Sequence, residues 1–197
     1  MKKLFLFAVM AVVALSASAQ KYRLTPHAGL GYTHFTSYND NTDMNNGLGF
    51  IIGGDYEYLF SDNFGVSGGV DYLYSQSSEE KYEIMGQSVL GWQYYGVSYL
   101  NVPILAQYHI GRFAIKAGLQ PTFNLAAKLY TENKGSFDLK DDFKTFSLSI
   151  PVGVSIDFNI PLTLDLRCAI PVTNQNKEGE SCKLTTVMLT LGYYFSK

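Results

Sequence analysis

Charge is scarce in this chain, cysteine nearly absent, and no long apolar run follows the first residues. Charged residues make up 16% of the sequence, where about 25% is usual for a soluble domain. Part of the surface therefore does not face water. Two cysteines, Cys168 and Cys182, are too few for a disulfide scaffold. No His or Cys stands at metal-ligand spacing, so neither a metal nor another cofactor is expected. The three histidines, His27, His34 and His109, are scattered, and no Ser or Cys beside them makes a catalytic motif. The expectation is a protein that is not an enzyme and has no catalytic residue. The formal charge is −2 and no basic cluster is present, which excludes nucleic acid as a partner. Residues 84–111 carry no charge but are interrupted by Gln, Ser, Asn, Gly and Pro103. They show no 3.6-residue stripe, so no membrane helix is expected.

What is present begins at the N-terminus. Lys2 and Lys3 precede an apolar run over residues 4–15 and the small-residue site Ala17-Ser18-Ala19. This pattern predicts an export signal peptide over residues 1–19, cleaved before Gln20. The remainder, 20–197, reads as one domain.

That domain is rich in aromatics, with 15 Tyr and 13 Phe, and alternates with period two. In one segment Leu48, Phe50, Ile52, Tyr56 and Tyr58 alternate with Gly49, Ile51, Gly53, Asp55 and Glu57. In another Phe113, Ile115, Ala117, Leu119, Phe123 and Leu125 alternate with Lys116, Gly118, Gln120, Thr122 and Asn124. Similar runs start near Tyr22, Phe64, Leu100, Phe146, Leu162 and Leu184, the last placed with Val187 and Leu189 on the apolar row. Eight strands result, each long enough to cross a bilayer at a tilt. The apolar row is large and aliphatic; the opposite row is Gly, Ser, Thr, Asn and single charges. A row so small and weakly charged suits a narrow lumen, not a soluble exterior. Residues 37–46, 77–92, 128–142 and 174–183 form long polar connections. They alternate with tight turns at Ser61-Asp62-Asn63, His109-Ile110-Gly111 and Asn159-Ile160-Pro161. The expected fold class is all-β: an eight-stranded antiparallel transmembrane up-and-down β-barrel, with short periplasmic turns and longer outer loops. Its expected setting is the bacterial outer membrane, with membrane lipid and the barrel assembly machinery as partners.

The turn Phe60-Ser61-Asp62-Asn63-Phe64, the segment Tyr99-Leu100-Asn101-Val102-Pro103-Ile104 and the ending Leu189-Thr190-Leu191-Gly192-Tyr193-Tyr194-Phe195 resemble the PorT-like family of small outer-membrane β-barrel proteins. The resemblance implies the barrel fold and the outer membrane, and it adds a role as an accessory to protein export. One departure is that Ser196 and Lys197 follow the terminal aromatic.

Strand phase points nine charges inward: Arg23, Asp55, Glu57, Asp71, Arg112, Lys116, Asp157, Asp165 and Arg167. Unpaired buried charge costs several kcal/mol, so their near balance predicts a salt-bridged plug and not a channel. The same phase puts Cys168 outward and Cys182 inward, which disfavours a disulfide. The loop Asn39-Asp40-Asn41-Thr42-Asp43-Met44-Asn45-Asn46-Gly47 lacks the spacing and closing Glu of a calcium loop and reads as solvated surface. Gly29 and Gly31 lack the strand-to-helix context of a nucleotide fingerprint. Tyr82, Ile84, Met85, Val89, Leu90 and Trp92 are apolar for a loop; folding down on the rim is favoured over strands running beyond the membrane to bind a partner. The expected role is contact with an extracellular or periplasmic protein partner, envelope integrity, or a secretion accessory; the alternative is a small porin-like channel.

Overall fold

A computed structural model describes residues 22–37, 46–84, 87–131, 135–138, 140, 144–174 and 182–196. The expected signal peptide, and the first long loop up to Asn45, lie outside these residues.

Among the described residues there is no helix. The strands are β1 (Tyr22–Ser37), β2 (Gly47–Leu59), β3 (Phe64–Ile84), β4 (Gln87–Asn101), β5 (Ile104–Ile110), β6 (Phe113–Thr131), β7 (Gly135–Asp138), β8 (Phe146–Asp157), β9 (Leu162–Pro171), β10 (Cys182–Tyr193) and β11 (Phe195–Ser196). β4 and β5 are one stave interrupted at Val102 and Pro103, and β10 and β11 are one stave interrupted at Tyr194. Pro103 has no N–H to give a ladder, and the gap is bridged by its neighbours: Val102 N–H donates to Pro121 O and Gly69 N–H to Pro103 O. Eight staves thus pair antiparallel in sequence order, and β1 closes the ring onto β10 and β11. Closure leaves no strand edge in the lipid band, where nothing could satisfy it.

The polarity of a soluble protein is inverted. Outward residues are apolar and exposed, Leu30 at 67% and Leu48 at 69% among them, while Asp71 and Arg167 inside are at most 1% exposed. Aromatic pairs band both ends of the outer surface. Tyr22 and Tyr56, Tyr58 and Phe60, and Tyr193 and Phe195 lie at the short-turn end, and Phe123 and Phe146 toward the loops. The short turns are tightly bonded: Phe60 N–H donates to Phe64 O and Phe158 N–H to Leu162 O, both at 2.9 Å. Gly111 turns the chain from β5 to β6 at a φ of 62°.

Two expectations are corrected. Residues 77–92 and 128–142 are not simply loops. β3 and β4 pair with each other up to Ile84 opposite Gln87, with Tyr82 opposite Val89. β6 runs on to Thr131 and pairs with β7. The backbone of Tyr82, Ile84, Val89 and Leu90 is thus part of the sheet, and Met85 lies outside the described residues. Leu184 faces the lumen and is 6% exposed, because it shares parity with Thr186 and Met188 and not with Leu189. Cys168 lies half-buried on the outer row with its thiol free.

Candidate functional site

Among the described residues, six of the eight staves carry one or two charges on their inward row, in the half of the lumen nearer the short turns. Arg167, from β9, is the hub. Its Nε donates to Asp165 Oδ1 at 2.9 Å, its Nη2 to Asp55 Oδ2 at 3.3 Å and its Nη1 to Asp71 Oδ2 at 3.4 Å. One planar guanidinium thereby ties β9 to β2 and β3 across the barrel, a geometry that only Arg supplies. Lys116 of β6 donates to the other oxygen of Asp165 at 2.5 Å. Nearer the mouth, Arg23 clamps Asp157 with two bonds of 2.6 and 2.7 Å and lies 4.0 Å from the centre of the Tyr194 ring. Glu57 bonds His109 Nε2 at 2.6 Å.

Of the nine charges expected inside, Arg112 alone is elsewhere: it is exposed on the β5–β6 turn. Strand parity fails there because the chain has already begun to reverse. His27 and His109 join the network although neither belongs to a sequence motif. His27 Nε2 lies 2.9 Å from Asp71 Oδ1, and its Nδ1 is 3.3 Å from Thr25 O. Their signal was parity, since His27 shares the inward row with Arg23, and His109 that of Gln107.

His27, Asp55 and Asp71 could offer ligand atoms within 4.8 Å of one another. The Arg167 guanidinium, however, already donates to both carboxylates. A divalent cation would have to sit against that permanent charge, so the cluster fits its own arginine better than a metal. Both His27 ring nitrogens are engaged, which leaves neither for activating a nucleophile.

A small polar cavity lies among these charges, lined by Arg23, His27, Glu57, Lys116 and Asp165. A second small cavity is lined chiefly by uncharged polar groups, Asn101, Gln120, Thr122, Ser147, Ser149 and Thr186. An apolar layer lies on the loop side of the charges. Toward the loops on the inward rows, Leu73 lies beyond Asp71, Ala169 beyond Arg167 and Met188 beyond Thr190, and these pack in one cluster with Ile51, Tyr99 and Leu184. The lumen is thus filled by ions, aliphatic side chains and amides, as an eight-stranded barrel allows.

Comparison with known proteins bears on the fold. The attachment invasion locus protein Ail of Yersinia pestis, solved with the heparin analogue sucrose octasulfate, matches with a TM-score of 0.56 at 18% identity, covering 90% of this chain and 100% of that one. Neisserial surface protein A matches with a TM-score of 0.53 at 12% identity, covering 89% and 97%. At these identities the likeness shows a shared fold. No curated protein sequence matches the chain. The family model described as outer membrane protein beta-barrel domain matches residues 5–195. With a closed barrel, an inverted polarity and a match over nearly its whole length, this chain belongs to the family of outer membrane protein beta-barrel domains of the bacterial outer membrane.

Proposed function

We propose that this protein is a non-enzymatic barrel with a filled lumen, which uses the membrane as a platform and contacts a protein partner at its loop end. The observation that carries the reading is the Arg167 hub. Three carboxylates from two other walls and its own converge on one buried guanidinium, and the apolar layer stacks directly on them. A standing channel would have to route ions through both.

The working surface is then the loop end, which in outer-membrane barrels faces the exterior. There β3, β4, β6 and β7 continue past the lipid-facing rows. The export signal expected over residues 1–19 would deliver the chain, and the assembly machinery and membrane lipid are its partners on the way. An accessory role in secretion, implied by the likeness to PorT-like proteins, fits the same platform. Ail was solved with a sulfated heparin analogue; the β3 segment over residues 77–84, with Glu79, Glu80 and Glu83 against Lys81, does not suit such a polyanion.

The test is conductance of the refolded protein in a planar bilayer, with heat-shifted gel mobility showing that the barrel has formed. The expected outcome is a folded, silent barrel. A steady ion-selective current would replace this reading with the small channel and make the inward charges its filter.

A further inference from the structure

The sheet does not stop evenly at the rim. β2 pairs with β3 only as far as Leu48 opposite Gln76, yet β3 runs on to Ile84. Over residues 77–84 the pairing of β3 among the described residues is with β4, from Ser77 opposite Tyr95 to Ile84 opposite Gln87. β4 pairs in turn with β6 up to Gln93 opposite Thr131, and β6 with β7. These four strands make a fin above the lipid band, and among the described residues its β3 edge has no partner strand. Such an edge presents a row of unused N–H and C=O groups, a template for one more strand.

The sequence along that edge, Ser77-Ser78-Glu79-Glu80-Lys81-Tyr82-Glu83-Ile84, narrows what can add to it. Three Glu against one Lys repel an acidic strand. In the register that sets Lys81 against its own copy, a second copy of the same edge run antiparallel also puts Glu79 against Glu83, and like charges placed across a ladder are destabilising. A strand bearing Lys or Arg at alternate positions would gain on both counts. The register shift between Glu79 and Lys81 bends the edge, so the guest is short or carries a bulge of its own.

We propose that residues 77–84 of β3 capture an extended Lys- or Arg-rich segment of another protein as an added antiparallel strand. This rests on the reading that the protein works at its loop end and names the partner's chemistry there.

The test uses the full barrel refolded in lipid nanodiscs and amide hydrogen exchange over residues 77–84. The probe is a short alternating Lys–Thr peptide. Its controls are the same peptide with alternate amides N-methylated, which cannot complete a ladder, and an alternating Glu–Thr peptide. The Lys–Thr peptide slows exchange at alternate amides of residues 77–84, and neither control does. Changing Glu79→Lys and Glu83→Lys together weakens its binding about tenfold, and raised salt weakens it too, while heat-shifted mobility shows an intact barrel. Three results overturn the proposal. The edge amides are already slow without peptide, which means the chain's own β1–β2 connection covers them; the peptide binds without slowing them; or it does not bind. Ion current through the barrel would count against the platform reading instead, and exchange at the edge is blind to it.

Discussion

Arg167 is 1% exposed and faces Asp55, Asp71 and Asp165 at once. Removing it leaves carboxylates from three strands facing each other with one cation fewer, and breaking a buried ion pair from one side costs about 3–5 kcal/mol. Arg167→Met is therefore expected to lower the unfolding free energy in urea by about that amount. Adding Asp55→Asn should recover part of the loss, since the two changes act within one network. Lys116→Met removes one of the two cations on Asp165 and leaves Arg167 in place, so a smaller loss of about 1.5–3 kcal/mol is expected. An unchanged unfolding midpoint for Lys116→Met would speak against the plug. Glycine makes a second contrast. A methyl on inward Gly49 would run into the carbonyl of Tyr74, whereas outward Gly68 has nothing within 4 Å of that position. Gly49→Ala should destabilise by about 1–3 kcal/mol, and Gly68→Ala should be neutral or stabilise by under about 1 kcal/mol, both read from urea unfolding. At this scale parity alone placed Arg23, Asp55, Glu57, Asp71, Lys116, Asp157, Asp165 and Arg167 on the inward face. Parity orders residues along one strand only. That Arg167 gathers carboxylates from β2 and β3 follows from barrel stagger, which no local pattern carries.

Among the elements, the tight turns and the lipid-crossing parts of the strands were legible, because a hydrophobic period of two is a local property. The fin was not. Residues 77–84 and 87–93 are mostly polar or mixed, since water bathes a strand beyond the lipid, and their alternation fades. Only the register of β3 on β4 reveals them as strand. Leu184 was misplaced for a related reason: the adjacent pair Thr185 and Thr186 gives no contrast from which to read phase. The β5–β6 turn tests the element-level argument. Gly111, at a φ of 62°, occupies a region that costs a β-carbon about 1–2 kcal/mol. Gly111→Val should lower stability by about that much, and Gly111→Asn should lose much less, because Asn tolerates the left-handed region. Urea unfolding midpoints of the two variants in the same detergent compare them directly.

For the whole molecule the question is what keeps the lumen shut. Among the described residues the interior holds three permanent cations, Arg23, Lys116 and Arg167, and five carboxylates, Asp55, Glu57, Asp71, Asp157 and Asp165. His27 and His109 each bond to one of the acids. Charged groups alone would make a wet, cation-attracting path, since a carboxylate can exchange a side-chain partner for a passing ion. The aliphatic layer of Ile51, Leu73 and Met188 cannot, because it offers no polar atom to an ion leaving its hydration shell. Sealing thus falls to the apolar layer, while the ionic hub holds the walls together. A barrel with Leu73→Ala and Met188→Ala should consequently keep its heat-shifted mobility yet pass current in a planar bilayer where the parent is silent. That current should favour cations, because the carboxylates outnumber the permanent cations on the lining it opens. A folded but still silent double variant would move the seal to the Arg167 hub, and the same measurement on a variant also carrying Arg167→Met would then show the opening.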